Sequence, residues 1–424
     1  MRQTQLIAGA LAFGAASLLA GRAQAADCTT LGLTSPYYVV GSTAIGPVVE
    51  AIAAYLAVQP QNAITVVYGG TGSCVGVQDI INTSTTPSAA ALATPSGKTG
   101  YFIYYDSTGK PQTCDLAASD NVLLSVALSD VFAQSCPLTP ALTQPLSALN
   151  ITERLGPVQA MTFVVPQASS DYSISAEAAY LTFGFGGHNS SIVTPWPDVM
   201  SMFQRGPSSG TQAMLAKAIG VPSGSWYGVT PSGTAGMISA ISTANTALNG
   251  NAIGILGTAD VDPLRQTATP ANPAPRYLAY QHYHQNCGYL PDSTPTVYDK
   301  RNVRDGHYAV WGPLHVFTLP HTDPNIDTIV NDLTGFAQLG ATDVIAQQAK
   351  AGLVPQCAMR VQRSTEMGDL TPLSQTAPCS CYFEHVTLGL TAMDTTCGKC
   401  TKTADCAEGY SCQTYGPQGY CEPP

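Results

Sequence analysis

From Tyr37 to about Arg363, short apolar runs alternate with stretches of helical period. The runs Tyr37-Tyr38-Val39-Val40, Ile64-Thr65-Val66-Val67-Tyr68, Leu124-Ser125-Val126-Ala127-Leu128 and Ala160-Met161-Thr162-Phe163-Val164-Val165 are short and mostly β-branched or aromatic. They predict buried strands. Helices are predicted from Gly46 to Ala57, from Gln212 to Ile219, and from Ile326 to Lys350, where Ile329, Leu333, Phe336 and Leu339 recur at helical spacing. The alternation implies an α/β fold, and roughly 320 residues exceed one ordinary hydrophobic core, so two lobes are expected. The segment from Asn82 to Ala118 is rich in small and turn-forming residues around Tyr101-Phe102-Ile103-Tyr104-Tyr105 and reads as an inserted hairpin. A loop from Gln266 to Arg276 carries Pro270, Pro273 and Pro275 and suits a crossing between lobes. No internal repeat of fixed period is visible.

The first residues combine Arg2, an apolar stretch from Leu6 to Ala20, and the small-residue ending Ala23-Gln24-Ala25. That is the pattern of a secretory signal peptide over residues 1–26. No later segment has the length and apolarity of a membrane helix, and Asp27 before Cys28 does not suit a lipid-attachment site. The expectation is an exported protein, periplasmic or extracellular. Removing Arg2 and Arg22 moves the formal balance from 17 minus 27 to 15 minus 27, or -12. An acidic chain of this kind lacks the basic face that nucleic acid requires. Any anion it binds must be held by local dipoles and few full charges.

All thirteen cysteines follow the leader, and export makes disulfides their default state. Cys379, Cys381, Cys397, Cys400, Cys406, Cys412 and Cys421 crowd the end of the chain, so residues 378–424 read as a small stapled tail. The odd total leaves one cysteine unpaired or paired between molecules, with connectivity open. Cys287 is expected in a disulfide.

Three segments share one design: an apolar strand, a turn of glycine and hydroxyl residues, then a helical run. They are Val39-Val40-Gly41-Ser42-Thr43, Tyr68-Gly69-Gly70-Thr71-Gly72-Ser73 and Gln204-Arg205-Gly206-Pro207-Ser208-Ser209-Gly210-Thr211. Helix starts expose unpaired N–H groups and a partial positive charge, and glycine lets an anion approach them. Ordinary capping explains any one such turn. Three in one chain favour a shared anion.

The order GSTAIGPVVEAI, VVYGGTGSCVGVQDII, SVALSD and QRGPSSGT resembles the phosphate-binding proteins of ABC importers, which have the type II periplasmic binding-protein fold. The resemblance covers most of residues 36–363, and Ala351-Gly352-Leu353-Val354-Pro355 is similar to that family's closing segment. It implies two lobes around a hinged cleft: residues 27–160 with 276–365, and residues 161–275. It also implies that Thr43, Ala44, Ser73, Asp130, Arg205, Ser209, Gly210 and Thr211 surround a phosphate or related oxyanion, with no cofactor. The partners implied are the anion and an ABC permease or sensor, with the chain itself a monomer. Arg205 brings a fixed fork of donors, while Asp130 can accept the proton of hydrogenphosphate and repel sulfate. Two positions depart from the family: Ala44 stands where an aromatic is frequent, and Pro207 where an acid commonly partners the arginine.

Competing readings come from other residues. Gly206-Pro207-Ser208-Ser209-Gly210 satisfies the nucleophile-elbow pattern of a secreted serine hydrolase, with Ser208 as nucleophile and His307 or His315 as base. On a strand, His282 and His284 share a face and with Cys287 can bind zinc or copper. Cys397-Gly398-Lys399-Cys400 has zinc-ligand spacing, and the stapled tail also suits an extracellular interaction module. Asp305-Gly306-His307-Tyr308 and the aromatic run to Trp311 and His315 fall where a closing strand should run. Trp196 and Trp226 read as packing residues.

Overall fold

Alternating buried strands and helices organise the chain, seen here in a computed structural model that describes residues 25–86, 92–186, 194–248, 250–335, 337–389, 397–415 and 418–423. The expected leader therefore lies outside the described residues up to position 24. The strands are β1 (Pro36–Gly41), β2 (Thr65–Gly69), β3 (Phe102–Tyr105), β4 (Pro111–Cys114), β5 (Val126–Ser129), β6 (Thr152–Val165), β7 (Ser173–Ser175), β8 (Gly254–Gly257), β9 (Arg276–Tyr277), β10 (Ala279–Gln281) and β11 (Trp311–Thr318). The helices are α1 (Gly46–Ala57), α2 (Ser73–Thr85), α3 (Ala176–Phe185), α4 (Gly210–Ile219), α5 (Gly233–Ala247), α6 (Thr258–Thr267), α7 (Arg301–Arg304), α8 (Pro324–Thr334), α9 (Val344–Lys350) and α10 (Ser380–Leu388).

The main sheet runs β4-β3-β2-β1-β5-β11-β6-β8, with β9 also on β6. Strand β1 is parallel to both neighbours, pairing Tyr38 with Val67 and Val40 with Ala127. Strand β11 turns the sheet antiparallel against β5 and β6. The long β6 spans both lobes: Thr152 to Ala160 pairs with β11, and Met161 to Val165 pairs with β8 and β9. Helices α1 and α2 pack on the first part, while α4, α5 and α6 pack around β6 and β8. This is the expected two-lobed α/β arrangement. Helix α1 turns Val48, Val49, Ile52, Ala53 and Leu56 into the core. Truncating Ile52 to Ala there costs about 2–5 kcal/mol.

Within the expected insertion the hairpin is β3 with β4, which lengthens the sheet at the β2 edge, whereas Asn82 to Thr85 end α2 and residues 87–91 lie outside the described residues. The long helix expected from Ile326 to Lys350 is corrected. Helix α8 ends at Thr334, a two-residue hairpin (Gln338–Leu339 with Thr342–Asp343) intervenes, and α9 begins at Val344. Gly340, at φ 60°, makes that hairpin turn, and Asp343 caps α9 through the Ala346 N–H at 3.0 Å. Apolar spacing alone had bridged the break, and Phe336 lies outside the described residues.

Six disulfides join Cys28 to Cys114, Cys74 to Cys136, Cys357 to Cys379, Cys381 to Cys397, Cys400 to Cys412 and Cys406 to Cys421. The tail is held to the body by the Cys357–Cys379 bridge and by Arg304. That arginine is buried, pairs with Glu384 at 3.0 Å and donates to the Ala358 carbonyl at 3.1 Å. Glu422 caps α10 by accepting from the N–H groups of Cys381 and Tyr382, both at 2.7 Å. Cys287 is the unpaired cysteine and is exposed. Its expected disulfide is therefore corrected: the other twelve find partners near their own elements, and Cys287 lies on a surface loop after β10.

Candidate anion site

Strands β1, β2 and β5 end side by side, and their carboxyl ends deliver the first two glycine turns and Asp130 to one place. Ligands of open α/β sheets gather at such edges. Gly41 has φ 125°, and a Cβ there would lie 2.9 Å from the Leu128 carbonyl carbon, so the turn out of β1 requires glycine. Helix α2 closes against the same point, where a Cβ on Gly76 would come within 2.8 Å of the Gly41 Cα.

Asp130, only 6% exposed, sits in a cage of hydroxyls. Ser42 Oγ donates to its Oδ1 at 2.5 Å, and Ser73 Oγ donates to its Oδ2 at 2.9 Å. Its own N–H donates to Ser73 Oγ at 3.2 Å. Burial raises the Asp130 pKa, opposed by the hydroxyls of Ser42 and Ser73 and by the charges of His315 and Arg205. The Cys74–Cys136 bridge ties the residue after Ser73 to the loop after Asp130.

Helix α4 meets this cage from the other lobe. The Cys74 N–H donates to the Ser208 carbonyl at 3.2 Å. A Cβ on Gly210 would lie 2.9 Å from Ser73 Cβ and 3.3 Å from Asp130 Cβ, so the two helix starts approach as closely as glycine allows. Arg205 donates to Thr234 Oγ1 at 3.0 Å, at the start of α5. Burial lowers its pKa, while the charges of Asp260 and Asp130 act the other way. Asp260, in the first turn of α6, accepts from the Gly257 N–H at 3.1 Å. Burial pushes its pKa up to about 6 against the pull of Arg205.

Of the residues expected around an anion, Ser73, Asp130 and Gly210 are in direct contact. Thr43 lies against Gly70, since a Cβ on that glycine would be 3.0 Å from Thr43 Cγ2. The Ala44 N–H donates to Ser42 Oγ at 3.2 Å. Ser209 and Thr211 flank Gly210, and Arg205 faces Asp130 through its charge. Sequence reasoning missed three neighbours. Ser42 was hidden in a turn where the family likeness pointed one residue on. Thr71 Oγ1 is buried with no hydrogen-bond partner among the described residues. Asp260 is the acid that acts on Arg205 where Pro207 does not, and its distance along the chain left no local signal.

The helix starts at this site carry no side-chain cap: Ile45 before α1, Gly72 before α2, Ser209 before α4 and Ser232 before α5 make no capping bond. Their amide dipoles are therefore not neutralised by the chain's own side chains. A groove of about 620 Å³ past Tyr37, Leu123, Asp120 and His321 lies at the opposite ends of β1 and β5, and its lining includes the acids Asp120 and Asp323 but no arginine or lysine.

No family model matches the chain, and no curated relative matches it either. Solved structures do resemble it. An ABC-type phosphate transport receptor from Vibrio cholerae is 13% identical with a TM-score of 0.46, covering 76% of this chain and 100% of that one. A phosphate-binding protein from Stenotrophomonas maltophilia is 14% identical with a TM-score of 0.42, covering 76% and 91%. Full-length OxyR from Pseudomonas aeruginosa is 10% identical with a TM-score of 0.36, covering 70% and 72%. At these values the likeness decides neither ligand nor chemistry.

The competing constellations fare differently. Ser208 is exposed and its carbonyl is turned to Cys74, while His307 stacks on Tyr289 at 5.3 Å. His315 is buried on β11 with Nδ1 2.5 Å from Glu153. Among the described residues neither histidine bonds Ser208. His282 and His284 follow β10 instead of lying within it; His284 has φ 68°, and His282 Nδ1 is 3.0 Å from the Tyr280 hydroxyl. The shared strand face that suggested a metal is thus absent. Cys397 and Cys400 belong to separate disulfides. Trp311 and His315 lie on β11, the expected closing strand, and Trp196 and Trp226 are buried.

Proposed function

We propose that the chain is an exported solute-binding protein that captures a tetrahedral oxyanion, phosphate foremost, between its two lobes for uptake or sensing. The observation that carries this reading is the meeting of the α2 and α4 starts over a caged Asp130, with Arg205 alongside. Reversible binding would exchange the water contacts of the anion for N–H, hydroxyl and guanidinium donors, with no bond made or broken. The donors outnumber the full positive charges, which suits a protein of net acidic charge.

Asp130 supplies the discrimination. A buried carboxylate accepts the proton of hydrogenphosphate, whereas sulfate offers only lone pairs to it. The Ser42 and Ser73 hydroxyls spend their protons on the carboxylate, so each carboxylate oxygen keeps a lone pair for the ligand. The resemblance in the four motifs, and the names of the phosphate-binding structures with a similar chain course, agree with this ligand. A permease or a sensor would then read the loaded form, and the monomer would suffice for binding.

Calorimetry with phosphate, arsenate, sulfate and molybdate tests the reading. Asp130→Asn is expected to gain sulfate affinity by about tenfold or more while losing phosphate affinity. If sulfate remains excluded in Asp130→Asn, selectivity does not reside in this carboxylate.

A further inference from the structure

Two tyrosines lie behind the anion-facing turns without belonging to them. The Tyr68 hydroxyl, fully buried at the end of β2, donates to the Ser42 carbonyl. The Tyr101 hydroxyl, from the inserted hairpin, donates to the Gly70 carbonyl at 2.7 Å. Both acceptors sit one residue before a candidate contact: Ser42 before Thr43, and Gly70 before Thr71. A trans peptide is planar, with the C=O of one residue antiparallel to the N–H of the next. Pinning the Ser42 carbonyl to the core therefore aims the Thr43 N–H away from it. Pinning Gly70 fixes the plane that carries Thr71, whose N–H closes a tight turn on the Gly69 carbonyl at 2.8 Å and whose buried hydroxyl has no partner among the described residues.

Each tyrosine is itself held. Ser42 is fastened on its other two polar groups, its N–H to the Leu128 carbonyl at 2.9 Å and its hydroxyl to Asp130, so Tyr68 completes its immobilisation. Tyr101 is fixed by Asp115, which accepts from the Gly100 N–H at 2.9 Å and the Tyr101 N–H at 3.1 Å. The Cys28–Cys114 bridge anchors the residue beside that aspartate. Phe102 presses on Gly69, where a Cβ would come within 2.9 Å of its Cδ1. The insertion thus ends in a hydroxyl placed on the second glycine turn.

We propose that Tyr68 and Tyr101 are positioning residues of the anion site, setting the Thr43 N–H and the Thr71 hydroxyl toward the ligand, and that the inserted hairpin serves this purpose. The inference rests on the oxyanion reading of the site. Ala44 offers no aromatic wall, and these two rings brace the same turns from behind.

The test titrates inorganic phosphate and sulfate into wild type, Tyr68→Phe and Tyr101→Phe, with the Thr43 and Thr71 amides followed by threonine-selective 15N labelling. Each variant removes one hydroxyl and keeps the ring. Tyr68→Phe is expected to weaken phosphate by about tenfold and Tyr101→Phe by about three- to tenfold. The phosphate-to-sulfate ratio stays unchanged, because Asp130 is untouched. The Thr43 amide resonance of Tyr68→Phe should shift less on phosphate addition than that of wild type. Unchanged affinity in a folded variant overturns the inference, as does weakened binding of Tyr68→Phe with a wild-type Thr43 amide response, or of Tyr101→Phe with a wild-type Thr71 amide response, either of which marks a merely structural role. If Tyr68→Phe does not fold, Tyr101→Phe decides by its affinity together with its Thr71 amide response. If wild type binds neither anion, the oxyanion reading itself fails, a result separable from either of the others.

Discussion

Two sets of helix starts in this molecule contrast. Four away from the candidate anion site are capped by side chains of the chain itself: Ser175 accepts from Ala178 N–H on α3, Asp323 from Asn325 on α8, Asp343 from Ala346 on α9, and Glu422 caps α10. At the cleft, α1, α2 and α4 begin at Ile45, Gly72 and Ser209 with no side-chain cap, although Ser209 is a residue type that caps well. A cap contributes about 1 kcal/mol to a helix, and forgoing it at the start of each of three converging helices costs stability without benefit to the fold. The contrast teaches that stability and ligand capture draw on the same N–H donors: α1 spends its own on the Thr43 and Ile45 carbonyls and α2 gives the Cys74 N–H to Ser208, so the reserve lies chiefly in the first turn of α4.

The largest effect expected from erasing this difference is Ser209→Asp. Its carboxylate would cap α4 and occupy the donors, weakening phosphate by about a thousandfold while raising stability by about 0.5–1 kcal/mol. Calorimetry and urea denaturation read the two arms. An affinity near wild type would break the comparison.

Gly210→Ala comes next. The new methyl meets Ser73 and Asp130, holding the helix starts apart, so phosphate affinity should fall about a hundredfold. Overpacking against buried Ser73 should also cost about 1–3 kcal/mol of stability, read as a lowered thermal midpoint.

Beside the cleft, Glu366 caps Phe132 N–H at 3.1 Å, and burial pushes its pKa from 4.5 up to about 7. Glu422 is raised likewise to about 7. A carboxyl whose folded pKa exceeds its unfolded value binds its proton more tightly when folded. Its stabilising contribution is complete below about pH 4.5 and is lost as pH rises through about 7. The thermal midpoint should fall between pH 5 and pH 8, and Glu366→Gln should flatten that slope. An unchanged slope would remove Glu366 from the account.

Ser175→Ala is the smallest expected change and the control for the first. Losing this outlying cap should cost about 1 kcal/mol of stability and leave phosphate affinity within about twofold.

Much of this division was legible along the chain, and the reasons are local. Helix α1 falls where its apolar spacing puts it, because Val48, Val49, Ile52 and Leu56 need one buried face and Gly46-Pro47 starts the helix cleanly. The glycine turns were legible because close approach at Gly41 and Gly210 excludes any side chain. What escaped was set by distance along the chain. Asp260 acts on Arg205 from another helix, Tyr101 reaches Gly70 from an insertion, and Ser42 is recruited by Asp130 across the sheet. The break between α8 and α9 escaped because Leu339 keeps the helical spacing while serving a hairpin. Cys287 escaped because pairing depends on proximity that cysteine counting does not contain.

The most direct measurement is a calorimetric titration of phosphate into protein unfolded in urea, dialysed and refolded, beside Arg205→Ala treated in the same way. The account predicts one phosphate per chain in wild type, sulfate weaker by at least about a hundredfold, and phosphate binding lost in Arg205→Ala. Folded wild type that takes up no tetrahedral anion, or Arg205→Ala that binds phosphate as wild type does, would contradict it.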